Sequence, residues 1–380
     1  MGVSDRLTVG LLAAQLTARV PGGTGRYTRG VLEALAATAT PERSVEVLLP
    51  LGPLPVGLPP VPVRRVAGPD RLLARLWERG WPPRVQGVDV VHAPTLLVPP
   101  VAGDTRLVVT IHDVVPWSHP LTLTPRGVAF HRRMAERAAR TAAVVVAPSH
   151  TVASSLREVL GPRVDLRAIP PFLPRLPAAE SSASLRSRLG AQGEYVLFVG
   201  TAEPRKGLDV LVPAMAAASL ADLTLVVVGP RGWGDVQVDA LAAAAGVADR
   251  VCVTGRVDDA ALAGLYDGAR VLAMPSRAEG FGLPVVEAMS RGVPVVTSDD
   301  PALVEVGGGA TLVTPVADVD ALAAALARAA ATGTDRERLV RAGRERAATY
   351  STDVTVDALW SLYAEVAGVS TGRGPTGGSG

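Results

Sequence analysis

Tyr195-Val196-Leu197-Phe198-Val199 opens a stretch that continues Gly200-Thr201-Ala202-Glu203-Pro204-Arg205-Lys206-Gly207. The opening run is apolar throughout and lacks the period-two alternation of a strand with one wet face. A strand of this kind is buried on both sides, as happens when helices cover both faces of a parallel sheet. Gly and Pro end it abruptly, and two adjacent cations precede the next helical segment. The same unit recurs outward. Apolar runs at 7–12, 45–49, 88–92, 107–111 and 143–147 come before it, and 224–228, 251–254, 271–274 and 294–298 come after. Longer Ala-, Leu- and Arg-rich segments at 25–39, 125–140, 152–159, 239–245, 284–291 and 319–331 separate them, which predicts helices. The class is therefore α/β with doubly wound parallel sheets, whose ligands bind beyond the carboxyl ends of the strands.

The alternation pauses once. Ile169-Pro170-Pro171-Phe172-Leu173-Pro174 is stiff and 177–184 is small and polar, which reads as a linker between two domains. We place the domains at 1–175 and 186–350. Segment 51–70 is Pro/Gly-rich and reads as an excursion from the first domain. Segment 354–366 reads as an apolar helix with Trp360 and Tyr363, and the Gly/Ser-rich tail 371–380 as disordered.

Composition excludes several classes. The 380 residues carry 38 Lys+Arg against 36 Asp+Glu, a net charge of +2, so no strong field favours nucleic acid. Every one of those cations is Arg except Lys206. Cys252 is the one cysteine, which leaves no internal disulfide and no zinc-site spacing. No basic-then-apolar leader and no membrane-spanning apolar run is visible, so a cytoplasmic protein is expected, at most peripheral on the inner face of the membrane.

Four features carry chemistry. Pro21-Gly22-Gly23-Thr24-Gly25-Arg26-Tyr27 follows a strand and starts a helix, where Gly permits close backbone approach and the helix N-terminus favours an anion; it equally suits a plain tight turn. Thr110-Ile111-His112-Asp113 ends a strand, so His112 faces a ligand site or caps loop carbonyls. Arg205 and Lys206 offer a planar fork and a point charge suited to a diphosphate. In Arg277-Ala278-Glu279-Gly280-Phe281-Gly282-Leu283-Pro284-Val285-Val286-Glu287-Ala288, two carboxylates bracket a helix start. Free N–H groups there suit phosphate, and a carboxylate on each side suits the vicinal hydroxyls of a sugar or ribose.

The pattern Glu279, seven residues, Glu287, with Gly-Phe-Gly-Leu-Pro-Val-Val between, resembles glycosyltransferase family 4, retaining enzymes of the GT-B fold. The likeness extends through 200–207, 228–234, 253–257, 265–269 and Glu305-Val306-Gly307, and into the first domain at the Gly-rich loop and 111–116. It implies two Rossmann-like domains facing a cleft, the second binding a nucleoside-diphosphate sugar and the first the acceptor, with a helix over 352–367 packing back on the first. Arg205 and Lys206 would hold the departing diphosphate, Glu287 the ribose hydroxyls, and Glu279 the sugar. The backbone of Phe281, Gly282 and Leu283 would contact sugar and phosphate. Gly22 and Gly23 would close over the diphosphate, His112 would touch the transferred sugar, and Arg256 and Val257 would hold the base. Thr201 departs from the pattern, which often has Arg there, a duty Arg205 would assume.

The implied reaction moves a hexose, of mannose type, from a GDP- or UDP-sugar to a hydroxyl of a glycan, a lipid-linked sugar or a small molecule. No metal or cofactor is required, since Arg205, Lys206 and a helix N-terminus neutralise the leaving group. His112-Asp113 acting as a general base would instead give inversion. A nucleotide-sugar epimerase of the same architecture and a non-catalytic sugar-nucleotide binder are the competing classes. Helix 125–140 bears Arg126, Arg132, Arg133, Arg137 and Arg140 against Glu136, which suits either a solvated face or contact with anionic lipid.

Overall fold

The structure is a computed structural model and describes residues 6–18, 22–173, 176–189, 193–232, 234 and 236–369. Leu7–Leu12 (β1), Arg43–Pro50 (β2), Val63–Val66 (β3), Val90–Ala93 (β4), Arg106–Thr110 (β5), Val144–Ala147 (β6) and Leu166–Ala168 (β7) form one sheet, ordered β3-β2-β1-β4-β5-β6-β7. Glu194–Val199 (β8), Leu223–Val228 (β9), Val251–Gly255 (β10), Val271–Met274 (β11), Val295–Ser298 (β12) and Leu312–Thr314 (β13) form a second, ordered β10-β9-β8-β11-β12-β13. The ladder pairs among the described residues are parallel in both sheets.

Burial follows from that pairing. Val9 and Leu11 of β1 pack on one face, with Tyr27, Val31 and Leu35 of helix Gly22–Ala37; Leu12 points to the other, with Met134 of helix Pro125–Thr141 and Leu156 of helix His150–Leu160. In the second sheet Leu197 and Val199 face one layer while Val196 and Phe198 face the opposite one. Because successive side chains alternate faces and both faces are covered, inner strands such as Val144–Ala147, Leu223–Val228 and Val271–Met274 are almost wholly apolar.

Several expectations need correction. Segment 51–70 contains β3 and leads into helix Asp70–Trp77, whose Leu73 and Trp77 are buried in the first domain. The linker reading of 177–184 is interrupted by helix Ser182–Leu189, whose Leu185 belongs to the second core. Helices Pro301–Gly307 and Thr334–Ala348 were not expected. On the basic helix, Arg126 and Arg133 both pair with Glu78, at 2.8 and 2.9 Å, and Arg132 donates to the Pro116 carbonyl at 2.9 Å. Those three arginines hold the helix to its own domain. The tail 371–380 lies outside the described residues, among which no helix is long and apolar enough to cross a membrane.

Helix Thr352–Ala367 packs on the first domain. Its Trp360 indole donates to Thr38 Oγ1 at 2.9 Å, and its Tyr363 hydroxyl lies 2.7 Å from His92 Nδ1. His92 Nε2 lies 2.8 Å from Thr110 Oγ1. Burial pushes the His92 imidazole down to about 3, so the ring is neutral. A neutral ring has one N–H and one lone pair, and hydroxyls on both sides satisfy either tautomer. Tyr363→Phe leaves Nδ1 unpaired in the core and is expected to cost about 1–3 kcal/mol with the helix retained, read by urea unfolding; an unchanged midpoint contradicts this account.

Candidate active site

Strand order reverses between β1 and β4 in the first sheet and between β8 and β11 in the second. Ligands bind beyond the carboxyl ends of strands at such reversals. The segments leaving those ends bring together the helix that begins at Gly22, the His112 loop after β5, the 200–207 turn after β8 and the 275–287 segment after β11.

Pro204–Lys206 forms a single 3-10 turn closed by Gly207, whose φ is 71°. A Cβ on Gly207 would fall 2.2 Å from the Pro275 carbonyl oxygen, so glycine lets the turn lie against the segment after β11. Arg277 clamps that contact: its N–H donates to the Arg205 carbonyl at 2.7 Å, and its guanidinium pairs with Asp209 at 2.7 Å. Lys206 Nζ consequently donates to Glu279 Oε1 at 2.5 Å, where Ser276 Oγ also donates at 2.7 Å. Arg205 Nη1 donates to the Ala278 carbonyl at 2.9 Å and to Glu279 Oε2 at 3.2 Å, while Nη2 lies 2.9 Å from Glu203 Oε1. Burial alone would raise the Glu279 carboxyl, but Lys206 and Arg205 outweigh it and hold it down at about 2.

Glu287 lies on helix Leu283–Ser290 and is buried. Its Oε2 accepts from the Tyr266 hydroxyl at 2.7 Å, and its Oε1 lies 2.7 Å from Nη2 of Arg26, a residue of the first domain. The expected ribose carboxylate is therefore held from both sides. Phe281 turns its ring into the second core, edge-on to Tyr350 at 5.3 Å, which leaves its backbone for the cleft.

Across the cleft, His112 Nε2 donates to the Pro94 carbonyl at 2.8 Å, and its ring meets Tyr27 edge-on at 4.9 Å. Burial pulls its pKa below the usual histidine range, so the ring is neutral with its lone pair on Nδ1. A Cβ on Gly280 would stand 1.9 Å from the His112 carbonyl oxygen, and Ser149 Oγ donates to the Gly280 carbonyl at 3.4 Å. Beside them, Glu305 of the second domain accepts from the His150 and Thr151 N–H groups at 2.8 and 2.7 Å. It thus caps the first-domain helix that Ser149 also caps.

Two cavities are lined by residues of both domains. One, of about 350 Å³, is lined by Gly22, Gly23, Arg26, Thr201, Arg256 and Val257. The other, of about 290 Å³, is lined by Gln15, His112, Asp113, His131, Glu203 and Arg205. Of the residues singled out in the sequence, Gly22, Gly23, Arg256 and Val257 line the first cavity and His112 and Arg205 the second; Lys206 and Glu279 form a charged ridge with Arg205, and Phe281, Gly282, Leu283 and Glu287 line neither cavity. Sequence reasoning missed Arg26, Tyr266, Ser276 and Glu203 as members of the site. Arg26, Glu203 and Tyr266 stood inside motifs already quoted, but the contacts that Arg26 and Tyr266 make with Glu287 join separate motifs and leave no spacing signal.

Gly280→Ala places a methyl against backbone from the opposite domain. It is expected to reduce turnover by about tenfold or more with little change in thermal stability of either domain, since it opposes closure. The Glu279 sign is also checkable. Its pKa is depressed from 4.5 to about 2, so its contribution is present above 4.5 and lost as pH falls toward 2. Chemical denaturation across that window should show a shallower pH dependence in Glu279→Gln.

Residues 21–174 match Glycosyltransferase Family 4, and residues 184–346 match Glycosyl transferases group 1. The chain is 30% identical over 271 residues to the O-antigen chain mannosyltransferase B of Escherichia coli, an alignment covering 69% of this chain and 70% of that protein. It is 35% identical over 226 residues to the D-inositol 3-phosphate glycosyltransferase of Salinispora tropica, covering 55% of this chain and only 46% of that one. In fold it is similar to the Anabaena protein HepE solved in complex with UDP and glucose, with a TM-score of 0.72 at 17% identity, covering 95% of this chain and 100% of the other. Family matches to both domains, together with a relative aligned over more than two thirds of its length, identify this chain as a glycosyltransferase of family 4 with the GT-B fold.

Proposed function

We propose that the chain transfers a hexose, in our reading mannose from GDP-mannose, to a glycan hydroxyl with retention of anomeric configuration and without a metal. The observation that carries this is the charged ridge formed by Lys206, Arg205 and Glu279, whose Arg205 lines a cavity that reaches His112, together with a second cavity lined by Gly22, Gly23, Arg256 and Val257. The mannosyltransferase relative favours mannose, and the UDP complex of the Anabaena protein makes uridine the base to test against guanosine.

In this reading the bond from sugar C1 to the diphosphate oxygen breaks while Lys206 and Arg205 offset the growing charge. The acceptor oxygen enters on the same face, forms the new bond to C1 and passes its proton to the departing diphosphate. Glu287, held in place by the Tyr266 hydroxyl, binds the ribose. His112, its ring kept neutral by burial, accepts a hydrogen bond from the sugar at its Nδ1 lone pair.

A thermal-shift panel of GDP, UDP and their sugars identifies the donor, and proton NMR of the product anomer decides stereochemistry; an inverted centre overturns the retaining step. Activity surviving EDTA is the expected result. Lys206→Arg should keep the fold yet lose activity by about tenfold or more, because a planar fork cannot occupy the site of a compact ammonium; full activity would return Lys206 to an accident of composition.

A further inference from the structure

We infer that Arg26 is an exchangeable cross-cleft counter-ion: it neutralises Glu287 while the donor site is empty and turns to the diphosphate when a nucleotide enters. The inference rests on the donor reading above and adds a residue to it.

Charge at the ridge motivates it. Arg205 and Lys206 are matched by Glu203 and Glu279 at pairing distance, so the turn carries no surplus positive charge for a group bearing at least two negative ones. Arg26 stands where the missing cation would be needed. It lies one helical turn after Gly22, on the same face of helix Gly22–Ala37, and lines the cavity that Gly22 and Gly23 enter. Its present partner is the fully buried Glu287 carboxylate, whose other oxygen is taken by Tyr266.

Such an arrangement exchanges without creating a buried bare charge. Ribose hydroxyls arriving at Glu287 replace the contact that Arg26 makes, and the guanidinium, released on the same side of the cavity, meets the phosphate oxygens with its remaining donors. Glu287 stays hydrogen-bonded to Tyr266 throughout. Because Arg26 belongs to the first domain and Glu287 to the second, the residue joins the two domains in either state, first through the protein's own carboxylate and then through the ligand.

Isothermal titration of the whole chain with guanosine, uridine, GDP and UDP, for wild type, Arg26→Gln and Arg26→Lys, tests this. Arg26→Gln is expected to weaken the preferred diphosphate by about tenfold or more, the worth of a charge-assisted hydrogen bond, while the corresponding nucleoside binds as well as before or better. Arg26→Lys, which keeps the charge and loses the fork, should fall between. Equal weakening of nucleoside and diphosphate assigns Arg26 a merely structural role and overturns the inference, as does unchanged diphosphate affinity in Arg26→Gln. Should Arg26→Gln not fold, the same split between nucleoside and diphosphate is read in Arg26→Lys. Wild-type protein that binds neither GDP nor UDP overturns the donor reading and this inference with it, whereas a tightly binding wild type with indifferent variants overturns this inference alone.

Discussion

The buried carboxylate of Glu279 is the constraint around which the cleft is built. A charge with so little water around it is tolerable only when several donors converge on it. Here Lys206, Arg205 and Ser276 do so, and all three owe their positions to backbone ends of neighbouring parallel strands. The turn bearing the cations can lie that close only because Gly207 presents no side chain to Pro275. Pairing a lone ammonium with a carboxylate also keeps the lysine fixed before any substrate arrives, which is the preorganisation that electrostatic catalysis requires.

The same short segment works on both sides of the cleft. Glu279 grips the cations of its own domain, Gly280 lies against the His112 carbonyl of the other, and Glu287 meets Arg26. The contacts that shape the site and those that join the two domains therefore share one segment. The carboxylate of Glu305 contributes in a different way, completing a helix N-terminus that belongs to the opposite domain. Against the upward pull of burial, the N–H groups it receives hold it below the usual carboxylate range, so the cap remains charged.

Legibility in the sequence tracked burial. Central strands such as Val144–Ala147 and Val271–Met274 are covered on both faces and announce themselves as Val-rich runs. The edge strand Val63-Arg64-Arg65-Val66 carries two arginines and was lost among prolines, as edge strands tend to be when charge protects them. Helix Thr334–Ala348 is mostly charged and shows no apolar stripe strong enough to mark it. Within the site, Glu279 and Lys206 were each conspicuous, one by its motif and the other as a single lysine. Their contact spans 73 residues and was not deducible from spacing. Arg26 hid in a chain that writes almost every cation as arginine, where one more carries no information.

The two places where the chain passes between domains lie side by side. The Leu173 N–H, on the outgoing segment, donates to the Tyr350 carbonyl, on the returning one, at 3.0 Å, and Thr355 Oγ1 donates to the Pro170 carbonyl at 2.9 Å. Two crossings laced together behave as a single pivot rather than as two separate tethers. The halves can then rotate about that pivot but not slide apart, and travel grows with distance from it. Any rotation about that pivot displaces the mouth of the cleft more than the residues at the crossing.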